Sequence, residues 1–313
     1  MNLSSLEIFC SVATEHSVTR AAAQLARVQS NVTTRVRQLE EELNVQLFSR
    51  DGKRMTLTSS GHRFLDYAQR LLSLAEEARR AMNADGPCGR LRIGTMESTA
   101  AARLPALLSS YHSSWPEVDL EISIGTSESL VDDVASSKVD CAFVAVPGAD
   151  LHGDSGFALA SRGLNSARAY TEDLLLVLPP NHPTVKGPDD LKITTLAAFA
   201  KGCTYRCTLE RWLSGSRNPA HTYWKVLEQA SYHAILSCVG AGSCFALCPR
   251  SILDLQRVPM DVRTYPIASI DTHLVYRSSC RSAALDELLR SLQSKPALAT
   301  RKRETEFEIS LLA

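Results

Sequence analysis

Residues 17–57 constrain the chain more than any other stretch of its 313 residues. Ser17-Val18-Thr19-Arg20-Ala21-Ala22-Ala23-Gln24-Leu25 reads as a short helix behind a serine cap, with Val18, Ala21, Ala22 and Leu25 turned inward. A second helical pattern follows, in which Val28, Val32, Val36, Leu39 and Leu43 recur at helical spacing and form a buried stripe. Ser30, Thr33, Thr34 and Arg37 fall on its opposite face at i, i+3, i+4 and i+7. Asn44 stands where such a helix would end in a left-handed residue. Asp51-Gly52, between Phe48-Ser49-Arg50 and Met55-Thr56-Leu57, is a hairpin signal. Leu6, Phe9, Cys10 and Ala13 predict one further amphipathic helix over residues 3–15. Helix, helix, polar helix and basic hairpin form a winged helix-turn-helix, a shape suited to the major groove of duplex DNA.

Charge supports that reading through its distribution. The formal net charge is zero, which argues against a general polyanion binder. Yet Arg20, Arg27, Arg35 and Arg37 lie in a segment without a single acid, and the hairpin adds Arg50, Lys53 and Arg54. The residues expected at DNA are therefore Thr19, Gln29, Ser30, Thr33, Thr34, Arg35 and Arg37 from the helices, and Arg50, Lys53 and Arg54 from the hairpin. A solvated polar face on a small helical subdomain is the blander alternative, and the order of elements disfavours it.

A single core rarely serves more than about 250–300 residues, so this chain should hold more than one domain. No apolar run reaches the ~18 residues of a membrane helix, and no secretory signal opens the sequence, so a cytoplasmic location is expected. Nine cysteines without a C-x-x-C pair suggest reduced, packed thiols and no zinc site. The eight histidines are scattered, and G-x-S-x-G, H-E-x-x-H and a phosphate-binding loop are missing from the sequence. No enzyme and no cofactor is expected.

Thr58-Ser59-Ser60-Gly61 opens a long helical pattern to about Ala84. Phe64, Ala68, Leu71, Ala75, Ala78 and Met82 make a heptad seam, which must pair with a second copy or pack on the chain's own N-terminal domain. Self-pairing is favoured, because no later helix obviously matches the seam. Asp85-Gly86-Pro87-Cys88-Gly89 ends it. Beyond Leu91 strands alternate with helices. Strands are expected at residues 91–94, 118–124, 141–146, 173–178, 244–248 and 272–276. Helices are expected through Leu104–Tyr111 and near 128–136, 204–214, 230–240 and 282–293, with a loose polar tail from Lys295. Two such α/β units enclose a cleft at strand C-terminal ends, where small ligands bind.

Several of these residues carry a resemblance. Ala21-Ala22, Leu25, Gln29-Ser30, Val32, Arg37, Leu39-Glu40-Glu41-Glu42-Leu43, Leu47-Phe48-Ser49-Arg50 and Leu57-Thr58 with Gly61 resemble the DNA-binding part of LysR-type transcriptional regulators. The chain departs from that pattern at Val28, where a serine cap is usual, at Thr34, where arginine is common, and at Arg27, which replaces an apolar residue. The resemblance implies an α/β multidomain chain: a winged helix-turn-helix at 1–58, a dimerising linker helix and hinge at 59–89, an effector-binding domain at 90–295 and a polar tail at 296–313. The effector domain would be two-lobed and similar to periplasmic solute-binding proteins. One lobe would span about 91–166 and 267–294 and the other about 167–266, with crossings near 166–170 and 264–268. Implied partners are double-stranded promoter DNA, a small-molecule effector, RNA polymerase and further copies of the chain, as a homodimer or homotetramer.

The expected effector pocket gathers Thr95, Met96, Glu97, Ser98, Thr99, Thr126, Ser127, Val144, Cys203, Thr204, Tyr205, Arg206, Ala241 and Gly242. Hydroxyls at helix starts suit a carboxylate or other small anion, while Glu97 would instead select an amine or a hydroxylated ligand. For each of Ser98, Ser127 and Thr204 the plainer alternative is a helix cap. Peroxide-sensing members of the family place a reactive cysteine near the position of Cys203. A thiol-based redox sensor, with Arg206 lowering the thiol pKa, is thus the alternative function.

Overall fold

The computed structural model describes residues 1–51, 54–81, 86–146, 159–218, 223–257, 260–280 and 282–294. Three helices and a hairpin come first: α1 (Leu3–Glu15), α2 (Val18–Gln24), α3 (Gln29–Leu43), β1 (Phe48–Asp51) and β2 (Arg54–Leu57). Ser17 caps α2 by accepting the Arg20 amide, and Asn44 ends α3 in the left-handed region at φ 51°, as the sequence indicates. Val28 departs from expectation. It is extended and 72 % exposed, because it precedes the helix as its N-cap and never joins the buried stripe of Val32, Val36 and Leu39. No side chain caps α3. The core packs Phe9 against Phe48 and Phe64, with ring centroids 5.3 and 5.1 Å apart. Glu40 fixes the entry to the hairpin by accepting the amides of Leu47 and Phe48.

The long helix α4 (Ser59–Ala81) starts behind Thr58, whose hydroxyl accepts the Gly61 amide. Gly61 touches the Leu47 carbonyl so closely that an added Cβ would lie 2.1 Å from that oxygen. The heptad seam divides. Phe64 and Ala68 pack into the N-terminal core, whereas Leu71 stays exposed beside Tyr67 and Leu74. Met82 lies outside the described residues.

The remaining chain builds one eight-stranded sheet in the order β4-β3-β5-β10-β6-β9-β7-β8. Its elements are β3 (Gly89–Thr95), α5 (Glu97–Ala102), α6 (Leu104–Ser114), β4 (Val118–Ile124), α7 (Ser127–Ala135), β5 (Cys141–Val146) and β6 (Leu164–Leu178). They continue with β7 (Thr195–Ala198), α8 (Thr204–Leu213), β8 (Lys225–Glu228), α9 (Tyr232–Gly240), β9 (Phe245–Pro249), α10 (Arg250–Leu253), β10 (Arg263–Arg277) and α11 (Ala283–Ser294). Two parallel units, β4-β3-β5 and β9-β7-β8, flank the antiparallel pair β10-β6. β5 reads as a continuous apolar run because both its faces are covered. Cys141 and Phe143 enter one core, Ala142 and Val144 another.

Strands β6 and β10 differ from the sequence reading, which began the first at Asp173 and the last at Thr272. Each runs for 15 residues and belongs to both lobes. Residues 271–276 of β10 pair with β5, while residues 174–177 of β6 pair with β9. The chain therefore crosses between lobes inside these strands, a few residues beyond the expected 166–170 and 264–268. Polar positions such as Glu172, Asp173, Ser269 and Asp271 hid the continuity, since they interrupt the apolar pattern at the crossing itself.

Candidate DNA-binding face and effector cavity

The exposed side of α3 presents Gln29, Ser30, Thr34, Arg35 and Arg37, and α2 presents Thr19. Ser30, Asn31, Thr34, Arg35 and Gln38 share one concave patch. The sequence reading had not singled out Asn31 and Gln38. The run Asn31, Thr34, Arg35, Gln38 has the same i, i+3, i+4, i+7 spacing one residue further round, so the signal was present. Thr33 is half-buried and donates its hydroxyl back to the Gln29 carbonyl at 3.1 Å, which removes it from the free donors of this face. Arg37 pairs with Glu41 at 2.8 Å. Both partners are exposed, so that pair is worth well under about 1 kcal/mol and yields readily to a phosphate. Arg54 opens β2 and is exposed, whereas Lys53 and the side chain of Arg50 lie outside the described residues.

A cavity of about 240 Å³ opens between the two parallel units. Four helix starts surround it. Met96, Glu97 and Ser98 come from the start of α5, Thr126 and Ser127 from α7, Cys203 and Tyr205 from α8, and Tyr232 from α9. Met96 holds the floor, its sulfur accepting from the Ser127 hydroxyl and the Ala145 amide, each at 3.3 Å. Among the described residues, three hydrogen bonds join the units across the cavity. The Glu128 amide donates to the Gly202 carbonyl, the Thr204 hydroxyl to the Ala145 carbonyl, and the Tyr232 amide to Glu97 Oε1. Beside them, Arg103 donates to Glu172 at 2.6 Å and Ser251 of the other unit donates to the second Glu172 oxygen at 2.7 Å.

Seven of the expected pocket residues line this cavity: Met96, Glu97, Ser98, Thr126, Ser127, Cys203 and Tyr205. The others are elsewhere. Thr95, Thr99 and Val144 are buried behind the wall. Thr204 spends its hydroxyl on Ala145. Arg206 turns away from the cavity to the Phe199 carbonyl, Glu210 and Glu228, since two carboxylates and a carbonyl satisfy its guanidinium better than the apolar chamber could. Ala241 and Gly242 follow the far end of α9, a helix of nine residues, and are exposed. None of the three suspected caps is one: the N-cap of α5 is Met96, that of α7 is Thr126 with a capping box to Ser129, and that of α8 is Cys203. Gly125, just before Thr126 and Ser127, also lines it, and Ile124, Phe199, Ala200, Gln229, Ala230 and Tyr232 complete the lining without having been foreseen. Phe199-Ala200 and Gln229-Ala230 directly follow β7 and β8, two strands that the sequence pattern did not reveal. Strand C-terminal ends would otherwise have pointed to them.

No lysine, arginine or histidine is among the described lining residues, so the expected carboxylate effector meets no cation there. Burial pushes the Cys203 thiol up, outweighing the Tyr205 and Arg206 amides that lower it, and Cys207 is raised by the same cause. Arg206 lowers the Cys203 thiol as expected, but burial outweighs it, and a raised thiol is the opposite of what a peroxide-reactive thiolate requires.

A three-helix head with an exposed polar third helix, joined by a long helix to a two-lobed α/β domain around a cavity, defines a DNA-binding regulator with an effector domain. The chain belongs to the LysR family. Residues 3–62 match the bacterial regulatory helix-turn-helix model of that family, and residues 84–297 match its substrate-binding domain. Among curated relatives, the uncharacterized regulator YusT of Bacillus subtilis (strain 168) is 36 % identical over 85 % of both chains. The regulator GltR of the same organism is 34 % identical over 86 % of both. SoxR of Arthrobacter sp. (strain TE1826) is 33 % identical over 96 % of this chain and 99 % of its own. Two solved structures share the architecture. A full-length OxyR variant from Pseudomonas aeruginosa has a TM-score of 0.70 at 21 % identity, covering 94 % of this chain and 95 % of that one. Full-length CbnR complexed with its target DNA has a TM-score of 0.64 at 20 % identity, covering 94 % and 99 %.

Proposed function

We propose that this LysR-family regulator reads its promoter sites through the concave patch of α3 and is switched by a small molecule held in the interlobe cavity. It acts by binding and not by catalysis, in the bacterial cytoplasm where promoter DNA is. The observation that supports the DNA contact is the side-chain set Ser30, Asn31, Thr34, Arg35 and Gln38: hydroxyls and amides that can meet base edges, with a guanidinium for phosphate or guanine. Arg54 in the hairpin supports the adjacent backbone, and Arg50 and Lys53 extend that role. The seven predicted lining residues and Tyr232 hold the effector. A ligand that prefers one lobe arrangement shifts the population of arrangements, and couplings of this kind are about 1–3 kcal/mol. Two copies joined through α4 would present two reading helices to half-sites spaced by DNA turns, and contact with RNA polymerase would follow at the promoter.

Arg35→Ala tests the DNA face. Fluorescence anisotropy on duplex DNA should show weaker binding, with the salt slope lowered by about one unit if Arg35 holds a phosphate. A slope and affinity equal to those of the unaltered chain would remove Arg35 from the interface.

A further inference from the structure

The cavity carries a charge of one sign. Glu97 is the only acidic side chain among the described lining residues, no basic one faces it there, and burial pushes Cys203, Tyr205 and Tyr232 up and keeps them neutral. Its two oxygens are unequally served. Oε1 accepts the Tyr232 amide at 3.4 Å, while Oε2 is enclosed without a hydrogen-bond partner. An enclosed carboxylate oxygen without a donor is costly, and a ligand donor would relieve it. Burial also pushes the Glu97 carboxyl above its usual range, with the Tyr232 amide opposing the shift. The first turn of α9 already faces this carboxylate, so a ligand anion would meet negative charge where it needs a donor. The rest of the wall is aromatic. Phe199 and Tyr232 stand edge to face at 5.0 Å, and Tyr205 joins them. The Tyr205 hydroxyl sits beside Ser98 and Thr272, yet neither contact has hydrogen-bond geometry, so it too has capacity to spare. Aromatic faces attract cations and accept apolar bodies.

We propose that the effector is a small protonated amine with an apolar body, its ammonium donating to Glu97 and its body lying among Phe199, Tyr205 and Tyr232. This rests on the reading of the cavity as the effector site. Among the described residues no arginine lines the cavity to compete for the carboxylate, and Arg206 is held by Glu210 and Glu228 outside it.

Three near-isosteric probes decide it by titration calorimetry on the full chain: phenethylamine, phenylpropionate and phenylethanol. The amine should bind about tenfold or more tightly than either of the others, and Glu97→Gln should remove that preference. Ala200→Trp, at the cavity mouth, should abolish binding of all three. Thermal melts confirm that each variant is folded. If Glu97→Gln does not fold, the preference of the unaltered chain decides. Tighter binding of phenylpropionate, lost in Ala200→Trp, overturns the amine and leaves the effector site standing. Binding that ignores Ala200→Trp, or no binding by any probe, overturns both.

Discussion

Individual side chains in this protein are placed by competition for partners, and the losers are informative. Arg206 was expected in the effector pocket but has two carboxylates elsewhere. His273 has none: both ring nitrogens are buried without a hydrogen bond, in a strand pairing with β5 and β6. Burial, the largest cause, lowers its pKa below the ordinary 6.5, with Arg168 adding to it and Asp271 opposing it. The unfolded chain thus takes up a proton here at a higher pH than the fold does. Stability from the neutral ring is complete above about pH 6.5 and declines as pH falls toward the folded value. His273→Phe should flatten this part of the acid loss in urea unfolding measured between about pH 7.5 and 5. An unchanged pH slope would show that the imidazole charges freely inside the fold.

Helices with a strong period were readable from the sequence, and strands depended on their neighbours. α3 was found from Val32, Val36 and Leu39, though its first turn was misjudged at Val28, where an apolar side chain sits in the N-cap and faces solvent. β5 was evident from Cys141-Ala142-Phe143-Val144. β7 and β8 were not, because Thr195–Ala198 is short and alanine-rich and Lys225–Glu228 is an exposed edge strand with no buried alternation. Phe199, Ala200, Gln229 and Ala230 of the cavity wall directly follow these two strands, which is why those four were missed. The heptad seam was read as a self-pairing surface, and the structure divides its work. Ala68 is fully buried within the chain, whereas Tyr67, Leu71 and Leu74 are 61, 38 and 58 % exposed. An apolar stripe of that kind on a long helix is the natural dimer contact. Leu74→Glu should therefore shift sedimentation toward the monomer and weaken binding to paired half-sites, with little change in thermal stability of the head. An unaltered oligomer would assign dimerisation to another surface.

At the scale of the whole molecule, both lobes share strands β6 and β10, through which the proposed function would link its two binding events. Glu172, on β6 at the crossing, is 3 % exposed and is held by Arg103 from one lobe and Ser251 from the other. A ligand that draws Glu97 and Tyr232 together acts directly beside this crossing. The helix-turn-helix head was the part most fully foreseen, because polar and apolar residues alternate along α3 at helical spacing. Selection of genomic DNA by the purified full chain tests the account most directly. Fragments retained at moderate salt should share a paired motif, and Arg35→Ala should retain them less well. Uniform retention of all fragments, or none at low salt by a chain shown to be folded, would contradict sequence-specific reading by α3.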